Sequence, residues 1–102
     1  MPLNPKQRSH LRALAHHLKP VIMIGNNGYT PAVQAEIELA LAHHELIKVK
    51  INHGERPQRE QIADQICAAS SCELVQNIGR TTIVYRPATE PKITLPKAKK
   101  PR

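Results

Sequence analysis

The fold is decided by the stretch Val21-Ile22-Met23-Ile24-Gly25-Asn26-Asn27-Gly28-Tyr29-Thr30-Pro31, in which a short apolar run meets a Gly-x-x-Gly loop and then a helix start. Thr30 suits the capping position before that helix, and Pro31 suits its first turn, where the missing N–H group has no partner to lose. Glycines allow a ligand to approach the backbone, and the N-terminal end of a helix attracts anions. The stretch therefore predicts a strand, a phosphate-binding loop and a helix in succession.

The charge of the chain favours a polyanionic partner. Its 102 residues contain 15 Lys and Arg against 8 Asp and Glu, which gives a formal net charge of +7, and no acidic residue precedes Glu36. Nucleic acid is the expected partner of such a protein. Phe and Trp are absent, and the only tyrosines are Tyr29 and Tyr85. Base stacking is therefore not expected to be the main mode of binding, and the nucleic-acid backbone is the expected target.

Length and composition also limit the class of protein. A chain of this length is expected to form one domain with a single core. It has no apolar run of membrane-spanning length and no secretory signal after Met1, so we expect a cytoplasmic protein without a membrane partner. Cys67 and Cys72 lie five residues apart without a second pair, which is typical of a reduced protein and not of a disulfide scaffold.

The first helix is predicted to combine an apolar and a basic face. It starts at Asn4-Pro5-Lys6-Gln7, where asparagine is the cap and glutamine can reach back to it. It is expected to end at Lys19-Pro20. Its apolar face consists of Leu11, Leu14, Ala15 and Leu18. Its basic stripe consists of Arg8, Arg12, His16 and Lys19. At helical spacing, the first face would bury against a core while the second is offered to a partner.

A βαβ unit is predicted next. Residues 21–24 form an uninterrupted apolar run, as in a strand covered on both faces. A helix is expected over residues 31–44. Residues 46–51 then alternate, so that Lys48 and Lys50 project from one face of a strand. Two strands joined by one helix predict a parallel pair.

The remaining pattern completes an α/β domain. A third helix without a good cap is expected over residues 57–70, followed by strands over 72–78 and 81–86 that are close enough for an antiparallel hairpin. From residue 88 onward the chain is rich in proline and lysine and cannot bury a core. We therefore expect an α/β fold of element order αβαβαββ over residues 1–87, a single compact domain with three helices and a mixed four-stranded sheet. A disordered basic tail is expected over residues 88–102.

Five segments resemble the YhbY-like CRM-domain proteins: residues 18–21, 24–30, 42–50, 75–80 and 84–87. The resemblance extends over nearly all of residues 3–87. It implies an RNA-binding domain similar in topology to the C-terminal domain of translation initiation factor three. Stand-alone bacterial members of this family associate with precursors of the large ribosomal subunit. Many members carry a lysine or arginine inside the loop, where this chain has Asn26 and Asn27, and Tyr29 stands where leucine is common.

We predict a non-catalytic RNA-binding protein, and the resemblance implies that its partner is ribosomal RNA of the large-subunit precursor. By position in the family, the RNA-contacting loop is residues 25–28. The full set of predicted RNA-binding residues is Gly25, Asn26, Asn27, Gly28, Tyr29, Thr30, Arg8, Arg12, His16, Lys19, Lys48 and Lys50. We expect no cofactor and no small-molecule substrate.

Two other hypotheses stay open. The first is a protein-interaction adaptor that recognises ribosomal proteins through its sheet face. The second is a small metal-dependent enzyme that acts on nucleotides. Adjacent histidines at 16–17 and at 43–44 diverge by about 100° around a helix, so neither pair forms a chelate. Asp64, the only aspartate, has no evident partner for acid–base or metal chemistry. We therefore predict no catalytic residue and no metal ligand.

Overall fold

The protein is described here by a computed structural model that covers residues 3–95. Within this range the chain follows the order αβαβαββ, which confirms the predicted fold class. The helices are α1 (Pro5–Ala15), α2 (Pro31–His44) and α3 (Arg56–Ser70), and the strands are β1 (Ile22–Ile24), β2 (Leu46–Ile51), β3 (Glu73–Ile78) and β4 (Thr81–Tyr85). None of the helices in these residues is long and apolar enough to cross a membrane.

The four strands form one mixed sheet in the order β1-β2-β4-β3. β1 pairs in parallel with β2, with Ile24 opposite Ile51. β4 runs antiparallel to both β2 and β3, with Thr81 opposite Lys50. The predicted parallel βαβ unit and the predicted hairpin are both confirmed. This register places the ends of β1 and β2 and the turn of the β3–β4 hairpin at the same end of the sheet.

The core lies on both faces of the sheet. On one face, α2 and α3 pack against the strands, and the cluster there includes the fully buried Ile24, Ile37 and Ile66. On the opposite face, α1 packs on β2, β3 and β4. The second cluster, on this face, includes Leu11 and Ile83. The domain is therefore a three-layer arrangement in which α1 alone covers the second face.

Helix α1 begins as predicted but ends earlier. The backbone N–H of Gln7 donates to Asn4 Oδ1 at 2.7 Å, and the backbone N–H of Asn4 donates to Gln7 Oε1 at 3.1 Å, which confirms the capping box. The helix ends at Ala15, so the prediction that it continues to Lys19 is wrong. Leu18 lies in a turn, where its N–H donates to the Ala15 carbonyl at 2.9 Å.

The expected apolar face of α1 is correspondingly narrower. Leu11 and Ala15 are fully buried against the sheet, whereas Leu14 and Leu18 are each 40% exposed. Leu14 lies to one side of the line of helix side chains that faces the sheet, and Leu18 lies beyond the end of the helix.

Strand β1 lies at the edge of the sheet, and only one of its faces is covered. Ile22 and Ile24 are buried, but Met23 between them is 62% exposed. The prediction that this strand is covered on both faces is therefore wrong. The reason is that α1, which lies on the Met23 side, packs mainly over the other three strands.

Part of the predicted tail packs against the domain. Glu45, at the junction of α2 and β2, is 1% exposed, and its carboxylate accepts the backbone N–H groups of Ala88, Lys92 and Ile93. Ile93 also packs against the second cluster, as does Leu95. Residues 88–95, hereafter the C-terminal segment, thus lie on the domain surface. The part of the predicted basic tail beyond residue 95 lies outside the described part of the chain.

Candidate nucleic-acid interface

The predicted phosphate-binding loop is a tight turn at the end of β1. Gly25, Asn26 and Asn27 are exposed, and Gly28 is buried. The N–H of Gly28 donates to the carbonyl of Gly25 at 3.0 Å and closes the turn. One of the main-chain donors that the sequence offers to a phosphate is therefore used within the loop, and the exposed part is the segment from Gly25 to Asn27.

The two glycines have different roles. Gly28 has a φ of +70°, and a Cβ atom added there would lie 3.1 Å from Nε2 of His53. Gly25 has no left-handed φ, and a Cβ atom there would meet nothing within 4 Å. Gly28 is therefore required by the turn, whereas Gly25 faces open space in which a ligand can approach the backbone.

The start of α2 is capped by its own residues. Thr30 Oγ1 accepts the backbone N–H of Val33 at 3.2 Å, which confirms the predicted cap. The Thr30 carbonyl accepts the N–H of Gln34 at 3.0 Å, and Pro31 has no N–H. The helix start therefore has few free donors, as Thr30 and Pro31 predict, and the exposed loop is the better-placed part of this junction for an anion.

Tyr29 faces the core. Its ring packs against the cluster between the sheet and α2 and α3, and its hydroxyl donates to the side-chain carbonyl of Gln34. Burial, together with the neighbouring Cys72 and Glu38, raises the pKa of Tyr29. Tyr29 thus attaches the loop to α2, and its ring lies against apolar side chains.

The basic residues of α1 lie outside the buried line that Leu11 and Ala15 form. Arg12 is exposed and Arg8 is half-buried. The exposed His16 caps the C-terminal end, where its N–H donates to the Arg12 carbonyl at 3.1 Å. Lys19 is exposed but lies beyond the helix end. The expected helical spacing therefore holds for the first part of the stripe and does not extend to Lys19.

Lys48 and Lys50 lie on the side of the sheet that α1 covers. Lys48 pairs with Ile83, and Ile83 belongs to the cluster under α1. Lys50 is on the same face by strand alternation, and it pairs with Met23, immediately before β1 ends at the loop. Tertiary structure thus places both lysines on the α1 side and brings Lys50 close to residues 25–28.

Two other connecting segments, the one after β2 and the β3–β4 turn, lie at this end of the sheet. The N–H of Asn52 donates to the Ile24 carbonyl at 2.8 Å, and the N–H of Ile51 donates to the Arg80 carbonyl at 2.7 Å. The ring of His53 lies close to Gly28 and would meet a Cβ atom added there. The segment after β2 therefore lies beside the loop, and the hairpin turn at Arg80 lies on the far side of β2. Sequence reasoning did not select His53 or Arg80, because their proximity depends on the strand order.

Residues 3–86 match the CRS1 / YhbY (CRM) domain. This chain belongs to that family. The match confirms the resemblance drawn from the sequence, and it covers the whole of the sheet and all three helices.

Relatives of this CRM chain are similar over most of their length. A protein of Haemophilus influenzae named "RNA-binding protein" is 48% identical over 93% of this chain and 96% of its own length. A "Probable RNA-binding protein" of Pseudomonas aeruginosa is 44% identical over 93% of this chain and 91% of its own. The solution structure of a hypothetical Staphylococcus aureus protein, assigned as a candidate RNA-binding protein, superposes with a TM-score of 0.81 at 34% identity, covering 92% of this chain and 99% of that one.

Arg86 of this CRM chain has a structural role. Its Nη1 donates to both carboxylate oxygens of Glu38, at 3.0 and 2.9 Å, and to the Ser70 carbonyl at 3.0 Å. Hydrogen bonds from Ser70 and Arg86 lower the pKa of Glu38. Arg86 therefore links α2, the end of α3 and the chain after β4, and its charge is largely balanced by Glu38.

Metal-binding side chains are dispersed in the described residues of the CRM chain. No group of three or more His, Cys, Asp or Glu within residues 3–95 could hold a metal ion. Cys67 and Cys72 are free thiols. The hydrogen bond with Cys67, together with burial, raises the pKa of the Cys72 thiol, so this thiol is protonated and is a poor ligand at neutral pH.

Proposed function

We propose that this chain is a non-catalytic RNA-binding protein that binds the RNA phosphate backbone at residues 25–28 and along the α1 side of the sheet. The observation that carries the proposal is the exposed turn from Gly25 to Asn27 at the sheet edge, with Lys50 beside it. Membership of the CRM family and the names of the relatives support the RNA part. Association with precursors of the large ribosomal subunit is part of the proposal and rests on the family resemblance.

The loop binds phosphate through neutral donors in this proposal. Asn26 and Asn27 each offer a backbone N–H and a side-chain NH2 group. Neither carries a charge, so the electrostatic attraction comes from neighbouring cations. The proposed cations are Arg8, Arg12, Lys19, Lys48 and Lys50. Contacts of this kind position a protein on RNA without reading the bases.

Two of the carboxylates with described contacts hold the fold together and support a role without chemistry. Glu45 accepts three backbone N–H groups and is buried. Glu38 is paired with Arg86. Acid–base catalysis needs a titratable group within reach of a substrate, and these two groups are instead occupied in holding the fold together.

A charge reversal at Gly25 tests the role of the loop. Gly25→Asp places a carboxylate in open space, so the fold is expected to survive while affinity for a large-subunit ribosomal RNA fragment falls about tenfold through repulsion. Gly25→Asn is the matched control, since it has the same shape without the charge. Filter binding measures affinity, and circular dichroism checks the fold. Equal affinity of the two variants would remove the loop from the RNA site.

The large-subunit part of the proposal needs a test in cells. Crosslinking the protein to RNA and sequencing the attached fragments is expected to enrich precursor RNA of the large subunit over that of the small subunit. Equal recovery of both would leave general RNA binding in place and remove the assignment to large-subunit assembly.

An adaptor for ribosomal proteins is the second candidate, and one observation favours it. Val21, Met23 and Ile78 are 50%, 62% and 54% exposed. Strand alternation and register place all three on the α1 side of the sheet. Such side chains can contact a protein partner. Nuclease treatment of an extract discriminates, because an adaptor keeps its partner after the RNA is digested and an RNA-binding protein releases it.

A further inference from the structure

A cleft of about 250 Å³ lies between the start of α3 and the β3–β4 hairpin. Three arginines line it: Arg56 and Arg59 from α3, and Arg80 from the hairpin turn. Glu60 is the one carboxylate among the described residues that line the cleft. Residues far apart in sequence thus bring three positive charges against one negative charge.

The single carboxylate balances only one of these arginines. Arg56 Nε lies 3.1 Å from Glu60 Oε1, one helical turn away, and both side chains are mostly exposed. Such a surface pair is weak and leaves both groups accessible. Arg59 and Arg80 have no carboxylate partner among the described residues. The cleft therefore favours an anion.

Arg59 offers a donor that is already oriented. Its Nη1 donates to the Gly54 carbonyl at 3.0 Å, which holds the guanidinium in place. Its Nε is buried and has no hydrogen-bond partner within residues 3–95. Buried donors without a partner are rare in folded proteins, and each calls for an acceptor. Arg59 lines the cleft, so an oxyanion bound there would meet its guanidinium group.

The size of the cleft restricts the ligand. Sites for small molecules and cofactors usually enclose about 300–1,000 Å³, so this cleft suits one phosphate group better than a whole nucleotide cofactor. Guanidinium groups bind phosphate through paired hydrogen bonds. Thr82 donates its hydroxyl to Asn77 Oδ1 at 2.8 Å, which leaves the NH2 group of Asn77 as a further donor at the cleft wall.

We propose that this cleft is a second phosphate site for the same RNA strand that binds residues 25–28. Hydrogen bonds from Asn52 to Ile24 and from Ile51 to Arg80 connect the two places across β2. The loop and the cleft lie two strand spacings apart, about 10 Å, across this end of the sheet. An RNA backbone that crosses this end of the sheet passes from the loop, over His53, to the arginines. This inference rests on the proposed function and extends its site.

Inorganic phosphate tests the cleft without RNA. In a nuclear magnetic resonance titration, the Arg59 Nε–H signal is expected to shift as phosphate is added to the wild-type protein and to stay fixed in the Arg80→Gln variant. Arg80 is exposed, so this variant is expected to fold, and its spectrum checks that. A wild-type Arg59 signal that does not respond to phosphate would overturn the proposal.

RNA binding tests whether the cleft belongs to the RNA path. Arg80→Gln is expected to lower affinity for a labelled RNA about fivefold and to reduce the slope of log affinity against log salt by about 0.7, as for one lost phosphate contact. Lys92→Gln removes one exposed charge from the C-terminal segment beside Glu45, at the end of the sheet opposite both sites, and is expected to change neither quantity. Glu60→Gln should strengthen binding, whereas the exposed Glu90→Gln should not.

The outcomes separate this inference from the proposed function. If Gly25→Asp impairs binding and Arg80→Gln does not, the loop remains an RNA site and the cleft is excluded from it. If the wild-type protein binds no RNA but phosphate still shifts the Arg59 signal, the proposed function fails and the cleft is a site for a free phosphate compound.

Discussion

At Gly28 the chain adopts a left-handed conformation at the point where the turn from Gly25 closes. The φ of +70° and the proximity of His53 both act against a side chain at this position. Neither condition applies at Gly25, which has an ordinary φ and open space around it. The two glycines of one motif therefore differ in what a substitution would do to the fold.

Replacing Gly28 by alanine should destabilise the domain. We expect the free energy of unfolding to fall by about 1–2 kcal/mol, because a Cβ atom is disfavoured in the left-handed region. Gly25→Ala, the matched control, should stay within about 0.5 kcal/mol of the wild type. Urea unfolding followed by circular dichroism measures both. Equal stability of the two variants would contradict the assigned roles of the glycines.

At the scale of elements, Glu45 joins the helix α2, the strand β2 and the C-terminal segment. Its N–H caps α2 at the Leu41 carbonyl at 2.9 Å, and its carbonyl accepts the N–H of Arg86 at 2.8 Å. Its carboxylate holds the segment through the N–H groups of Ala88, Lys92 and Ile93. Burial opposes ionisation, but these donors and the Lys92 charge outweigh it and lower the pKa of Glu45.

The variant Glu45→Gln should release the C-terminal segment and weaken the domain. One carboxylate oxygen becomes an NH2 group that faces a backbone N–H, and a buried donor without a partner costs about 1–3 kcal/mol. Thermal or urea unfolding measures the loss. Glu90→Gln, an exposed change within the segment, is the control and should leave stability unchanged.

This difference should depend on pH in one direction. Because the folded-state pKa of Glu45 is lowered, its contribution is fully present above the ordinary glutamate pKa of about 4.3. It is lost as the pH falls through the lowered folded-state value. The stability gap between the wild type and Glu45→Gln should therefore be constant near neutrality and shrink in acid. A gap that widens in acid would contradict the lowered pKa.

At the scale of the whole molecule, the net charge of +7 is distributed over several elements. The α1 side of the sheet carries cations from a helix, a loop and a central strand. Three more arginines line the cleft near the other side of the loop. A polyanion that crosses the end of the sheet at the loop would meet positive charge on either side of a neutral, glycine-flanked turn.

RNA binding by the intact chain should therefore be strongly salt-dependent. If the five proposed cations outside the cleft each neutralise one phosphate, log affinity should fall with log salt at a slope of about −3.5 for single-stranded RNA. Contacts in the cleft would make it steeper. Fluorescence anisotropy at several salt concentrations measures the slope. A slope near zero would contradict backbone recognition and favour the protein adaptor.

Local patterns were sufficient to predict the elements, since their causes lie within a few residues. The box between Asn4 and Gln7, the cap at Thr30 and the alternation along β2 each depend on near neighbours, and each is observed. The Gly-x-x-Gly loop was located in the same way. Local sequence was therefore enough to predict the element order, the starts of α1 and α2, and the loop. The prediction that α3 lacks a good cap is wrong, because the N–H of Glu55 donates to Gln58 Oε1 at 3.0 Å in a capping box.

Which of these parts meet depends on contacts between distant residues. Strand order is set by pairings between distant residues, and it makes β1 an edge strand with Met23 exposed, brings Arg80 beside Ile51 and forms the arginine cleft. The hydrogen bonds of the Glu45 carboxylate could not be predicted from the sequence either, because their donors lie more than 40 residues further along the chain. Such contacts depend on packing and chain closure, and they leave no periodic signal in the sequence.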